Sequence, residues 1–277
     1  MTDRYAVIGN PISHSKSPII HSSFAQATGQ DIEYIAIEST AERFAGAVHA
    51  FRDSGGRGMN VTAPFKLQAF ELADAHSEHA LQAGASNTLR FESNRIVADN
   101  FDGVGLVTDI QRNLGFTLMG KRVLLLGAGG AVRGALMPFL AEHPAELVIA
   151  NRTEARAQSL AAAVSTMAVT HARIRGTSFA NIAEEQFDLV VNGTSASLTG
   201  ELPPVSPAVF APEGMAYEMV YGRGLTPFLR LAQQAGVRRL ADGVGMLVEQ
   251  AAEAFHHWRG VCPDTRAVIA QLTVPLD

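Results

Sequence analysis

A single cysteine, Cys262, stands in 277 residues, so no internal disulfide can brace this chain. Long apolar runs are missing as well: stretches such as Val123-Leu124-Leu125-Leu126 fall far short of the ~20 residues a membrane-spanning helix needs. The start, Met1-Thr2-Asp3-Arg4, lacks the basic-then-apolar pattern of a secretory signal, and a cytoplasmic protein is expected. Basic charge is in short supply too. Lys plus Arg number 22 against 27 for Asp plus Glu, a net charge of -5, which argues against nucleic acid or an anionic membrane as partner. No fixed-period repeat and no low-complexity linker breaks the chain. What is present is 47% hydrophobic residues, too many for a disordered chain, over a length that suits two domains.

Strand-like segments alternate with helical ones almost throughout, the pattern of an α/β protein with mostly parallel sheets. One series comprises Tyr5–Ile8, Ile32–Ile37, Gly58–Val61 and a hairpin-like pair, Ser86–Phe91 with Arg95–Ala98. A second comprises Arg122–Leu126, Leu147–Ala150, Phe187–Asn192 and Ala216–Met219. A boundary is expected between them, near residues 103–120.

The densest chemistry lies in Asn60-Val61-Thr62-Ala63-Pro64-Phe65-Lys66. Pro64 suits a first helical turn, and Phe65, Ala69, Leu72 and Ala73 repeat with helical period. Lys66 is thereby expected in a first turn, where an ammonium is about 0.3–1 kcal/mol less favourable than a carboxylate. An isolated Lys there is most simply a solvated one. Asp102 changes the reading, because Asp99-Asn100-Phe101-Asp102-Gly103 forms a polar turn before a new helix, the kind of segment that positions reactive groups. A lysine held by a carboxylate can give and take a proton.

The second series opens with Gly127-Ala128-Gly129-Gly130-Ala131-Val132 between a strand and a helix, the setting of a dinucleotide fingerprint. Gly127 permits the tight turn, Gly129 admits the pyrophosphate, and the helix N-terminus offers free N–H groups. Val132 replaces the usual third small residue, so the pattern by itself serves equally for a plain strand-to-helix turn. The next strand ends in Asn151-Arg152-Thr153, with Arg156 a turn later. The acidic residue that holds a ribose 2′-hydroxyl is absent, and two guanidinium groups suit a 2′-phosphate. The expected cofactor is NADP.

Six ordered motifs, namely Gly9–Pro18, Asn60–Lys66, Gly84–Thr88, Asp99–Gly103, Gly127–Gly134 with Asn151–Thr153, and Asp242–Ala251, resemble those of the shikimate dehydrogenase family over essentially the whole chain. The resemblance implies an NADP-dependent oxidoreductase that reversibly reduces 3-dehydroshikimate to shikimate in chorismate biosynthesis. It implies an open α/β substrate domain from residues 1–102 and 243–277, and a Rossmann-type NADP domain from 103–242. Lys66 and Asp102 would be the catalytic pair. Ser15 and Ser17 would hold the substrate carboxylate, with Tyr221 closing on it from the other domain, and Thr62, Asn87 and Gln250 would meet the ring hydroxyls. Gly127, Ala128, Gly129, Gly130, Ala131, Asn151, Arg152, Thr153, Arg156 and Thr194 would bind the cofactor, with Met219, Gly243 and Met246 along the nicotinamide. No metal is implied, the partner is a small molecule, and a monomer or homodimer is expected.

Several of these residues have plainer readings alone. Ser15 and Ser17 could simply cap a helix, Gln250 could be a structural amide in an apolar stripe, and Met is ordinarily core. The chain also departs from the family pattern. Phe101 stands where Thr is usual, Glu218 where Asp is, Ser86 where Val is, and Gly193 and Ser197 alter the cofactor-side loop. Phe101 predicts weaker use of shikimate if its ring faces the site, and a packing role if it faces the core. Such departures leave two alternatives: a paralogue acting on quinate or a related polyhydroxy acid, or a non-catalytic NADP-binding regulatory protein.

Overall fold

The computed structural model describes residues 2–93, 95–167, 171–222 and 224–276. It divides into two compact units, Met1–Gly105 with Val248–Ala270, and Leu106–Leu247 with Gln271–Asp277. The last residues, expected with the first domain, count with the second unit, where Leu276 packs on a core cluster containing Phe210 and Phe228.

The first unit carries β1 (Asp3–Gly9), α1 (Ser17–Thr28), β2 (Ile32–Glu38), α2 (Phe44–Asp53), β3 (Gly56–Val61), α3 (Lys66–Leu72), β4 (Ala75–His76), α4 (Glu78–Ala83), β5 (Thr88–Glu92) and β6 (Arg95–Asp99), followed by the start of α5 (Asp102–Thr108). Its sheet runs β2-β1-β3-β5-β6-β4. Strand β1 pairs in parallel with β2 and β3, whereas β5 is antiparallel to both β3 and β6. Alternation along β3 sends Met59 and Val61 into an apolar cluster with Phe44, Phe65 and Leu89, and Asn60 to the opposite face. Phe44 stacks on Phe65 with ring centroids 4.9 Å apart. Each fully buried ring contributes roughly 1.5–3 kcal/mol and anchors the Asn60–Lys66 segment to the sheet. Pro64 does not open α3 as expected. It lies in the turn before it, after a cis Ala63–Pro64 bond, and the helix begins at Lys66.

The second unit carries β7 (Arg122–Leu126), α6 (Gly130–Ala141), β8 (Glu146–Ala150), α7 (Glu154–Met167), β9 (Arg173–Thr177), β10 (Phe187–Asn192), β11 (Phe210–Glu218), α8 (Pro227–Gln234) and β12 (Arg239–Ala241). Every ladder is parallel, in the order β12-β11-β10-β7-β8-β9. That is the doubly wound Rossmann arrangement, whose crevice opens at the carboxyl ends of the central strands. Two further helices follow, α9 (Val244–Arg259), which crosses the break at 247/248, and α10 (Arg266–Leu272). Among the described residues no helix is long and apolar enough to cross a membrane.

Candidate active site

In the first unit, a chain of hydrogen bonds gathers residues that are far apart in sequence. Lys66 Nζ donates to Asp102 Oδ2 at 2.5 Å. The other carboxylate oxygen accepts from Asn87 Nδ2 at 2.8 Å, and the same amide nitrogen donates to Gln250 Oε1 at 3.1 Å. Asp102 is the first residue of α5, where the helix dipole favours a carboxylate, and its own N–H donates to Asn100 Oδ1 at 3.1 Å. Asn100 is anchored in turn by Nδ2 on Ala85 O at 3.0 Å. Asp102, Asn87 and Gln250 are buried, while Lys66 keeps partial access to solvent. The arrangement is a cation with one exposed flank and a carboxylate immobilised on both oxygens.

The remaining expected substrate residues of this unit lie on adjoining turns. Thr62 N–H donates to Ile8 O at 3.0 Å, at the end of β1. Ser15 Oγ accepts from the Ser17 N–H at 3.3 Å, at the start of α1. Ser17 itself is buried.

Phe101 belongs to packing. It is 6% exposed, its N–H donates to Asn87 Oδ1 at 3.0 Å, and its ring lies between those of His79 and His257, at 6.3 and 5.6 Å. Next to it, Asp99 accepts from Ser77 Oγ at 2.5 Å and from the Asn100 N–H at 2.7 Å. Although burial opposes it, the net effect of His79, Ser77 and Asn100 is to hold the Asp99 carboxyl below its usual range.

In the second unit, a cavity of about 730 Å³ is lined by Gly127–Ala131, Asn151, Arg152, Thr153, Arg156 and Thr194, and also by Phe179, Ser195, Leu202 and Pro203, which the sequence did not single out. Gly127 has φ +105°, a conformation that side chains with a Cβ rarely adopt. A Cβ on Gly129 or Gly130 would meet no protein atom within 4 Å, so their outer face is open to a phosphate at the N-terminus of α6. Asn151 Nδ2 donates to Thr153 O at 3.0 Å, fixing the bend that presents Arg152 and Arg156. Both guanidinium groups are exposed and, among the described residues, make no ion pair or hydrogen bond. Free N–H groups, an unobstructed glycine turn and two unengaged cations suit a dinucleotide carrying an extra phosphate.

Two departures from the fingerprint complement each other here. Val132 fills the position of the usual small residue, and a Cβ on Gly193 would lie 2.5 Å from its Cγ2 and 2.9 Å from Met219 Sδ. The close packing normally allowed by the third residue of the motif is supplied across the interface by Gly193. Glu218 and Ser197 form a similar pair. Glu218 is fully buried and accepts from Ser197 Oγ at 2.5 Å, Asn192 Nδ2 at 2.9 Å and Thr226 Oγ1 at 3.1 Å, while burial pushes its carboxyl above the usual range. Of the other expected cofactor residues, Met219 and Gly243 pack directly on one another, and Met246 N–H donates to the Tyr217 hydroxyl at 3.3 Å. None of these three lines the cavity, and neither does Tyr221.

Fold and site together describe a two-unit α/β protein with a dinucleotide-binding turn in one unit and an ammonium–carboxylate pair in the other. Family models match residues 7–89 as a shikimate dehydrogenase substrate binding domain, 109–199 as shikimate / quinate 5-dehydrogenase, and 243–273 as a shikimate 5′-dehydrogenase C-terminal domain. The shikimate dehydrogenase (NADP(+)) of Dechloromonas aromatica is 54% identical over 276 residues, covering 100% of this chain and 99% of that protein. Among solved structures, an Ael1 enzyme from Pseudomonas putida is 60% identical with a TM-score of 0.94 over 100% of both chains. The shikimate 5-dehydrogenase of Thermus thermophilus, solved with NADP(H) and shikimate, is 31% identical with a TM-score of 0.84 over 97% of this chain and 98% of that one. The chain belongs to the shikimate dehydrogenase family.

Proposed function

We propose that this chain is an NADP-dependent shikimate dehydrogenase, interconverting 3-dehydroshikimate and shikimate in the route to chorismate. The observation that carries the proposal is the Lys66–Asp102 pair at 2.5 Å, intact and held by Asn87. Relatives of this name, 54% and 52% identical over nearly the full chain, support it. In this reading residues 1–102 and 243–277 serve the substrate and 103–242 serve NADP, the exchange of roles falling close to the breaks between the compact units.

NADPH held by Gly127–Ala131, Asn151, Thr153, Arg152 and Arg156 would supply the hydride for the substrate carbonyl carbon. Lys66 Nζ gives a proton to the carbonyl oxygen as its charge develops, and takes one from the hydroxyl in the reverse direction. Asp102 keeps the ammonium directed and accepts a hydrogen bond from the neighbouring substrate hydroxyl, while Asn87 fixes the carboxylate plane. Thr62, Asn87 and Gln250 meet the ring hydroxyls, and Ser15 and Ser17 the carboxylate, with Tyr221 a further carboxylate partner. Arg152 and Arg156 take the 2′-phosphate, Gly127–Ala131, Asn151, Thr153 and Thr194 the rest of the nucleotide, and Met219, Gly243 and Met246 the nicotinamide. A cytoplasmic enzyme, monomeric or homodimeric, completes the proposal.

Lys66→Ala is expected to lower turnover by roughly 10²–10⁴-fold with a much smaller change in KM for shikimate. Asp102→Asn is expected to be impaired as well, with non-additive losses in the double variant because the groups act as a unit. Near-normal turnover of folded Lys66→Ala would remove the pair from the mechanism.

A further inference from the structure

Helix α7 opens on a conflict. Glu154 is its first residue, where the peptide dipoles favour a carboxylate, yet it stands in sequence between Arg152 and Arg156, the two cations that line the cofactor cavity. A carboxylate in that place can work against an anion site in two ways, by pairing with a guanidinium or by repelling the phosphate. Arg152 is the exposed side of this conflict. It lies two residues ahead of the helix, at most ~7 Å away along the chain and within the combined reach of a Glu and an Arg side chain, whereas Arg156, two residues on, faces another side of the helix.

The structure resolves the conflict with two neutral amides. Glu154 Oε1 accepts from Asn181 Nδ2 at 3.2 Å and from Gln158 Nε2 at 3.3 Å. A carboxylate only accepts, so both amides turn their NH₂ groups to it. Gln158 lies one helical turn further on, and Asn181 comes from the single turn Ala180–Ile182, which directly follows the lining residue Phe179. The cavity is lined by Asn151, Arg152, Thr153 and Arg156 but by none of Glu154, Gln158 and Asn181. An exposed ion pair is a weak competitor for the carboxylate, because solvent screens it and ordering two long side chains costs entropy. One helical amide contact together with a second from Asn181 keeps Glu154 out of the cavity wall.

We propose that Asn181, together with Gln158, is a positioning residue for cofactor choice: it holds the Glu154 carboxylate away from Arg152, and so keeps that cation available to the 2′-phosphate of NADP. NAD carries no such phosphate and is indifferent to where Glu154 points. The inference rests on the proposed role of Arg152.

The test is the Kd of NADP and of NAD, read by titration of the full chain. Asn181 and Gln158 are both exposed, so their replacement leaves the fold intact. In the double variant Asn181→Ala with Gln158→Ala, Glu154 loses both donors; Kd for NADP is expected to rise about 3–5-fold, the scale of an exposed ion pair, with NAD unchanged. The rise should shrink as salt is added, since contacts between exposed charges are screened beyond ~10 Å already at about 0.1 M. Adding Glu154→Gln to the double variant removes the charge and is expected to restore the wild-type Kd. A bond that merely docked Asn181 on α7 would act on both cofactors, and Glu154→Gln would not relieve its loss. If Arg152→Ala weakens NADP selectively while the double variant leaves NADP unchanged, weakens both cofactors alike or is not rescued by Glu154→Gln, the positioning role is overturned and the role of Arg152 survives. If Arg152→Ala itself weakens both cofactors alike, or neither, the role of Arg152 fails and the inference falls with it.

Discussion

Phe101 provides a test in which fold and function predict opposite results. If its ring faced the substrate, Phe101→Thr would add a hydroxyl to the site and raise kcat/KM for shikimate about fivefold, the ~1 kcal/mol of one net hydrogen bond. The structure instead encloses the ring between His79 and His257, with 6% exposure. Truncating a buried Phe to Ala costs about 3–5 kcal/mol. Thr returns a methyl group and a hydroxyl, which leaves an expected loss of ~2–4 kcal/mol, or roughly 5–15 °C in Tm for a unit of this size. The backbone N–H of residue 101 still bonds Asn87 Oδ1, so Asp102 keeps its place and kcat/KM at a permissive temperature should stay within twofold of wild type. Calorimetry and steady-state kinetics on the one variant decide the matter. An undiminished Tm together with a fivefold gain for shikimate would refute the packing argument.

Arg152→Ala is expected to weaken NADP by about 1.5–3 kcal/mol, as for a hydrogen bond to a charged group, and to leave NAD nearly unchanged; equal losses measured by titration of the two cofactors would deny Arg152 the 2′-phosphate. His21 gives a pH prediction. Its folded pKa of about 3 lies below its unfolded value near 6.5, so the unfolded chain binds the extra proton between them. Its contribution to stability is therefore complete above about pH 6.5 and lost as pH falls toward 3, by up to roughly 5 kcal/mol. His21→Gln keeps a donor for Asn60 and should flatten this part of the stability profile measured by urea unfolding; an unchanged slope would contradict it.

The central strands of both sheets were legible because β1, β3, β7, β8 and β10 are apolar on the faces that build the cores. Three strands were not. β4 is two residues long, β9 reads Arg-Ile-Arg-Gly-Thr, and β12 spans three residues. All three are edge strands, and an edge strand is defined by the neighbour it pairs with more than by its own composition. The candidate site divides in the same way. Lys66 and Asp102 could be singled out one by one, since each stands where a turn opens a helix, but their meeting depends on β5 and β6 bringing Asn87 and Asp99 into place. Asn60 offered one local signal, an amide in the apolar stretch Gly58-Met59-Asn60-Val61. Its partners His21 and Tyr34 lie 39 and 26 residues away, beyond any local pattern. The departures from the family pattern were visible only singly. In the structure Val132 meets Gly193 and Glu218 meets Ser197, each change leaving the volume or the hydrogen bond that the other uses.

The most direct test of the account is one set of initial-rate measurements on the wild-type protein, with shikimate or quinate as the alcohol and NADP or NAD as the acceptor. Lys66 beside Asp102 and the exposed Arg152 and Arg156 predict the highest kcat/KM for shikimate with NADP, with NAD weaker by at least tenfold, the ~1.4 kcal/mol per decade that one charge-assisted contact supplies. A preference for quinate or for NAD, or no turnover of either alcohol by protein that still binds NADP, would contradict it.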